Sequence, residues 1–167
     1  MATTAQLHTL TLPRVGAYWP EQGGIYAGLI RGTDGQPDQH LIIATDLRAE
    51  FADVVWGERG VDVPGAASQL DGLANTLAMA EAGNEAARQI LTLVIDGRSG
   101  FYIPSIRELS LARANAPEAF QRGWYWSSTQ YSAHYAWSQN FDDGFQYTTG
   151  KRTALRARAV RRFSVIQ

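Results

Sequence analysis

The spacing of apolar and polar residues predicts strands near both ends of the chain, with helices between them. Residues 7–12 alternate in polarity, which predicts a short strand that Pro13 ends. Residues 23–30 and 40–45 predict the two strands of a hairpin, because the residues between them are rich in turn formers. Residues 51–67 lack a regular period and predict a loop.

Capping signals predict the helices. Residues 68–71 are typical of a capping box with an aspartate in place of the usual glutamate, and the apolar residues that follow at helical spacing are Leu70, Leu73, Ala74 and Leu77. Asn84 can cap a second helical run, whose apolar stripe we interpret as core packing: Ala86, Ala87, Ile90, Leu91 and Val94. Ser105 and Glu108 form a complete capping box for a third helix, which we expect to end near Asn115.

Strands return after the third helix. With turns at 142–144 and 149–151, the predicted strands are residues 124–129, 135–141, 145–148 and 155–163. This order predicts one α+β domain over residues 1–167, with paired N- and C-terminal strands. Two or three helices are expected to pack on a small mixed or antiparallel sheet.

Aromatic residues are concentrated late in the sequence, where nine of the 18 fall between Trp124 and Tyr147. Exposed aromatic clusters are typical of binding surfaces, because they give wide contact area at low conformational cost. We interpret Trp126 and Trp137 as buried scaffold. The residues expected to face outward and bind a ligand are Gln130, Tyr131, Ser132, His134, Tyr135, Gln139, Asn140, Asp142, Asp143, Phe145, Gln146 and Tyr147. All of these except the three glutamines are predicted to lie together on one solvent-facing surface, above buried segments around Trp126 and Val160.

The charge is unevenly distributed along the chain. The net charge is −1, but residues 151–167 contain six of the 15 basic residues and no acidic residue. We expect Arg156, Arg158 and Arg162 on one face of the last strand, pairing with carboxylates from the helices. A nucleic-acid partner is therefore not predicted. No stretch is long and apolar enough for a membrane span, and the first residues do not resemble a secretory signal.

Patterns that can carry chemistry have simpler interpretations. The absence of cysteine excludes disulfides, thiolate metal sites and cysteine nucleophiles. A serine–histidine–acid site would need one of the three histidines, which are His8, His40 and His134, but no nucleophile-elbow sequence is present. Asn140, Asp142 and Asp143 offer oxygen ligands at a spacing that can hold calcium, although a hairpin turn favours the same residues. We therefore predict no enzyme activity, no cofactor and no metal site.

Several short sequence segments, taken together in their order along the chain, resemble those of a known family. They are GGIYAG at 23–28, WG at 56–57, DGLANT at 71–76, AA at 86–87, FYIPS at 101–105 with EL at 108–109, WSST at 126–129, AW at 136–137 and RARAVR at 156–161. Over roughly residues 16–163, the chain resembles C-type-lectin-like domains of three kinds. These are found at the C-terminus of a collagen-like bacterial adhesin, in phage tail proteins, and in the variable proteins of diversity-generating retroelements.

The resemblance implies a fold in which terminal strands pair, two helices pack beneath, and a small sheet displays a ligand-binding surface. It also implies binding rather than catalysis. We therefore expect a receptor- or ligand-binding module on a phage virion or bacterial surface, with a protein or glycan on a cell surface as its partner. The alternative is a structural or assembly subunit of a phage tail or surface particle, whose aromatic surface forms a homo-oligomer interface.

The resemblance further raises the hypothesis of programmed sequence variation. In diversity-generating retroelements, adenines of a template are copied as any base, and the template favours asparagine codons that end in C or T. From Tyr131 to Thr149, every residue except Trp137, Gln139 and Gln146 can be encoded by a codon that ends in C or T. Strands and turns favour many of the same residues in any case.

Overall fold

A computed structural model describes residues 11–33 and 35–164, in which the chain adopts the predicted α+β fold. The strands are β1 (Tyr18–Trp19), β2 (Gly24–Ile30), β3 (Gln39–Ala44), β4 (Glu50–Val55), β5 (Trp124–Gln130), β6 (Tyr135–Asn140), β7 (Gln146–Gly150), β8 (Ala154–Arg158) and β9 (Val160–Ser164). The helices are α1 (Gly72–Glu81), α2 (Glu85–Leu91) and α3 (Ile106–Asn115). None of the helices in these ranges could cross a membrane.

One sheet joins the early and late parts of the chain. Its strand order is β1-β2-β3-β9, and all neighbours are antiparallel. The predicted hairpin is confirmed as β2 and β3, and β3 pairs with β9 so that Ile42 lies opposite Arg161. The predicted strand at 7–12 lies largely outside the described residues, and its last two residues belong to no strand.

The second sheet is mixed and packs against a core on each face. Its order is β4-β8-β5-β6-β7, with only β5 and β8 parallel. Trp126 packs into one core with Met79 of α1, whereas its neighbour Tyr125 packs into another with Leu109 of α3. Consecutive strand residues point to opposite faces, so the two cores lie on opposite sides of this sheet. Trp126 and Val160 are buried, as predicted.

Strand β4 lies in the segment predicted to be a loop, so that prediction is wrong. The pairing of β4 with β8 shifts register between Phe51 and Val54. Within this bulge, Asp53 adopts a left-handed backbone conformation with φ of 55°. The extra residue disrupts the alternation of apolar and polar side chains, which explains why the sequence pattern does not indicate a strand.

The single strand predicted at 155–163 is two strands in different sheets. Ala159 lies between β8 and β9. Its N–H donates to the carbonyl of Ala49 at 2.9 Å, and its carbonyl accepts from the N–H of Ala44 at 3.1 Å. These bonds satisfy both of its backbone groups at the point where the chain passes from one sheet to the other.

The late arginines bind carboxylates, as predicted, but not all of the carboxylates come from helices. Arg156 and Arg158 both pair with Glu50 of β4, at 3.6 and 2.7 Å. Arg162 pairs with Glu108 of α3 at 2.9 Å. Because β8 and β9 belong to different sheets, these three arginines do not share one strand face.

A buried ion-pair network joins α1, α3 and β9. Glu108 is 1% exposed and accepts hydrogen bonds from the hydroxyl of Tyr102 and the N–H of Ser105. Arg162 links this carboxylate to Asp71, the N-cap of α1, at 3.1 Å. Burial raises the pKa of Glu108, and the guanidinium of Arg162 acts in the opposite direction.

The capping predictions are confirmed for α2 and α3 but wrong for α1. Asn84 accepts from the N–H of Ala87, and both bonds of the predicted capping box at the start of α3 are present. Helix α1 is capped by Asp71, whose side chain accepts from the N–H of Ala74. The hydroxyl of Ser68 instead accepts from two backbone N–H groups ahead of the helix.

The face that α1 buries carries two polar residues beside Met79, contrary to its leucine pattern. Leu73 and Leu77 are exposed, whereas Asn75 and Thr76 are fully buried. Asn75 donates to the carbonyl of Ser68 at 2.6 Å, and Thr76 accepts from the N–H of Ile103 at 3.0 Å. These buried groups are satisfied, so the helix can pack with this face inward.

Candidate binding surface

Most of the twelve predicted surface residues are accessible. Tyr131, Phe145 and Tyr147 are 60, 70 and 65% exposed, and none of the nine residues predicted to form the outer surface is buried. Gln146 is exposed as well. The prediction that Gln130 and Gln139 face outward is wrong, because both are buried.

These residues form two groups rather than one surface. The β5–β6 turn (residues 131–134) and the β6–β7 turn (residues 141–145) lie at opposite ends of β6, about 17 Å apart at roughly 3.4 Å per strand residue. Tyr135 pairs with Gly150 in β7, and Ser138 pairs with Tyr147. Because positions three apart in a strand face opposite ways, Tyr135 and Tyr147 project from different faces.

The β5–β6 turn holds its side chains in place through local bonds. The N–H groups of Tyr131 and Ser132 both donate to the carbonyl of Tyr135 at 3.0 Å. The Ser132 hydroxyl accepts from the N–H groups of His134 and Tyr135. The exposed ring of Tyr131 meets the half-buried ring of Trp137 edge to face, with centroids 5.5 Å apart. The turn therefore presents a supported aromatic ring to solvent.

The β6–β7 turn is built by the side chains that could also have ligated calcium. Asn140 accepts from the N–H of Asp142 at 2.8 Å, and Asp143 accepts from the N–H of Phe145 at 3.0 Å. Asp142 also pairs with the exposed Arg122 at 2.7 Å. Within the described ranges, no cluster of three or more acidic or histidine side chains could hold a metal ion. The oxygens of this turn thus serve its backbone.

Gln139 is buried because it connects β6 to the neighbouring strand and helix. Its amide nitrogen lies 3.4 Å from the carbonyl of Gly144, and its amide oxygen lies 3.4 Å from the amide nitrogen of Gln146. Gln146 also donates to the hydroxyl of Ser110 on α3. These amides link β6 and β7 to α3, and of the two only Gln146 remains exposed.

Gln130 is buried in a polar cluster with Lys151. The Gln130 amide oxygen accepts from the N–H of Val63 at 2.8 Å and from the Lys151 ammonium at 2.6 Å. Lys151 also donates to the carbonyl of Val61 at 2.7 Å and lies 4.7 Å above the ring of Trp56. Burial lowers the pKa of Lys151. The sequence gives no sign of this role, since a lysine after a glycine turn is ordinarily exposed.

The cluster positions a loop, residues 57–63, that the sequence does not mark as part of a site. Gly60 in this loop donates its N–H to the carbonyl of Ala133 in the β5–β6 turn at 3.0 Å. The exposed residues Glu58, Arg59 and Val61 therefore adjoin the β5–β6 turn. They are brought there only by contacts between distant parts of the chain.

The histidines occupy separate environments. His40 is buried, and its ring nitrogen Nδ1 is hydrogen-bonded to the Tyr26 hydroxyl at 2.8 Å. His134 is exposed in the β5–β6 turn. His8 lies outside the described residues.

The candidate residues lie apart from the two main grooves. One groove of about 570 Å³ lies beside β4 and the start of α2, and another of about 430 Å³ lies beside the β2–β3 loop. None of the twelve predicted residues lines either groove. The arrangement therefore suits contact with a large partner more than enclosure of a small one.

No protein-family model matches the chain, and no curated protein matches it significantly.

Proposed function

We propose that this chain is a ligand-binding module of the C-type-lectin-like type, which presents exposed aromatic and polar side chains to a protein or glycan on a cell surface. Its expected setting is a phage virion or a bacterial surface. The β5–β6 turn is the centre of the proposed site, and the adjoining loop 57–63 extends it.

The observation that carries this proposal is the exposure of large rings on a rigid support. Tyr131 is 60% exposed, yet its ring rests on Trp137 and its backbone is bonded within the turn. Beneath it, Gln130 and Lys151 are buried and hydrogen-bonded. A ring held in place loses little conformational entropy on binding, which favours its use as an interface anchor.

The double variant Tyr131→Ala/Tyr135→Ala is expected to lose binding while keeping its fold. Anchor residues often contribute about 2 kcal/mol or more, so affinity should fall at least roughly tenfold. Stability should change little, since exposed substitutions usually cost about 0.5 kcal/mol or less. Binding is measured on a glycan array and on a panel of intact bacterial strains, and folding by thermal denaturation.

Tyr18→Ala provides the matched control, because Tyr18 is 49% exposed on β1 in the other sheet. It should bind like the unchanged protein. Equal binding by the double variant and this control would contradict the proposed site. Absence of binding to every glycan and strain would contradict the proposed partner class.

The hypothesis of programmed variation gains support from the three residues that lack the required codons. Trp137 supports the ring of Tyr131, and Gln139 and Gln146 bond toward α3. The rings of Tyr135, Phe145 and Tyr147 are exposed beside these side chains and can vary without loss of a buried contact. Sequencing residues 131–149 from many clones of one source population should find changes only at adenine-derived positions. Changes spread evenly over all codons would refute the hypothesis.

A further inference from the structure

The four edge strands in the described residues differ in how they are protected. Unpaired strand edges attract other strands, and proteins usually block them by bulges, charges or short length. Edge strand β1 has two residues, β4 contains a bulge at Asp53, and β9 carries Arg161 and Arg162. Edge strand β7, Gln146–Gly150, has no bulge in its register, no proline and no charged residue. It is the least protected edge of the four.

The backbone groups on this free edge follow from the pairing of β7 with β6. Asn140 donates to the carbonyl of Phe145, and Lys151 donates to the carbonyl of His134, which fixes the hydrogen-bonded positions of the ladder. In an antiparallel ladder these positions alternate, so Tyr147 and Thr149 bond to β6. The N–H and C=O groups of Gln146 and Thr148 therefore point away from the sheet. The N–H of Gly150 points the same way.

We propose that a second copy of this chain pairs with β7 edge to edge, antiparallel and centred on Thr148. Each Thr148 then bonds to Thr148 of the second copy, and each Gln146 bonds to Gly150 of the second copy. The two five-stranded sheets become one ten-stranded sheet across a twofold axis. Self-pairing of this kind is an isologous interface, in which one patch serves both partners.

Charge along the strand favours this antiparallel arrangement. Asp142 and Asp143 precede β7, whereas the exposed Arg152 follows it. Antiparallel pairing brings the acidic turn of one copy beside Arg152 of the other, twice per dimer. Parallel pairing would instead bring like charges together. The existing partner of Arg152, Glu58, is 4.0 Å away and exposed, so Arg152 can reorient at little cost.

The side chains of β7 also fit pairing with a second copy of the chain. In the proposed register, Tyr147 lies directly across from Thr149 of the second copy, on the same face of the joined sheet. Pairs of an aromatic and a β-branched residue stabilise neighbouring strands. The interface would thus cover the Tyr147 ring, which is 65% exposed in the single chain.

The test is sedimentation velocity over a range of protein concentrations. The unchanged chain and Thr148→Val are expected to form dimers, because the valine keeps the backbone and the β-branched shape. Thr148→Glu places two carboxylates directly opposite each other and should raise the dimer dissociation constant at least roughly tenfold. A monomeric unchanged chain at every concentration, or a Thr148→Glu dimer of unchanged affinity, would overturn the proposal.

Charge reversal tests the antiparallel direction. Asp142→Arg and Arg152→Asp should each weaken the dimer, and the double variant should recover it, because each twofold contact then regains opposite charges. Asp142 is chosen because its side chain makes only an exposed ion pair with Arg122, whereas the Asp143 carboxylate holds the turn. A double variant weaker than both singles would overturn the arrangement. The inference is independent of the proposed function, since the Thr148→Glu chain keeps the β5–β6 turn intact. Its binding on the same arrays separates failure of the dimer from failure of the ligand site.

Discussion

Replacing Arg162 with alanine is expected to lower the free energy of unfolding by about 3–5 kcal/mol at neutral pH, because it leaves a buried carboxylate without its cation. Glu108 is 1% exposed, and Arg162 is its ion-pair partner at 2.9 Å. Chemical denaturation measures the loss. Arg107→Ala, an exposed arginine one position before Glu108, should cost about 0.5 kcal/mol or less.

The loss of stability in Arg162→Ala should also depend on pH. Burial raises the pKa of Glu108 and Arg162 opposes that rise, so the pKa should be higher still in the Arg162→Ala variant. A carboxyl with a raised pKa in the folded state contributes stability below its unfolded pKa of about 4.3, and this contribution is lost as the pH rises through the folded pKa. The variant should therefore be closer to the unchanged protein near pH 4 than near pH 7. If the variant's free energy of unfolding is lower than that of the unchanged protein by the same amount at both pH values, this account is contradicted.

Trp126→Ala is expected to cost about 3–5 kcal/mol, because it empties the centre of one core. Trp126 is 1% exposed, and its indole N–H donates to the carbonyl of Val54 on β4 at 2.8 Å. In the opposite direction, Trp56, which follows β4, donates its indole N–H to the carbonyl of Ser127 on β5 at 2.9 Å. Because β8 lies between these strands, the two indoles connect strands that are not neighbours.

Trp126→Phe separates the packing of Trp126 from its hydrogen bond, and Trp124→Ala provides a comparison on the same strand. Trp126→Phe keeps most of the packing and loses one hydrogen bond, so about 1–3 kcal/mol is expected. Trp124→Ala removes a half-buried indole from the same strand and should cost less than Trp126→Ala. Thermal and chemical denaturation measure all three. The assignment of Trp126 as scaffold would fail if its replacement by alanine cost no more than that of Trp124.

Local signals in the sequence predict local structure well in this chain. Ser105 and Glu108 sit three positions apart and cap a helix with their own side chains, so their spacing is enough. Asn84 likewise caps α2 by a bond to the N–H of Ala87, only three positions along the chain. By contrast, the buried face of α1 depends on partners such as Ile103 and Ser128, which are far away in the sequence. Leucine spacing alone therefore gives the wrong face.

The residues of the candidate surface also differ in whether their exposure could be predicted from the local sequence. None of the predicted residues in the two turns is buried, because short polar residues and glycine favour turns wherever they occur. The burial of Gln130 depends on Asp62, Val63 and Lys151, none of which is close to it in the sequence. The projection of Tyr135 and Tyr147 from different faces depends on the ladder register, which residue composition does not specify.

Lys151 is the only lysine in the sequence, and its side chain is fully buried. The folded domain therefore presents no lysine amine to acylating reagents or to enzymes that acetylate or ubiquitinate lysine. A lysine-specific protease would likewise need the segment around Lys151 to open before cleavage. Every other basic side chain that carries a permanent charge is an arginine, so surface cations are available for bidentate contacts but not for amine chemistry.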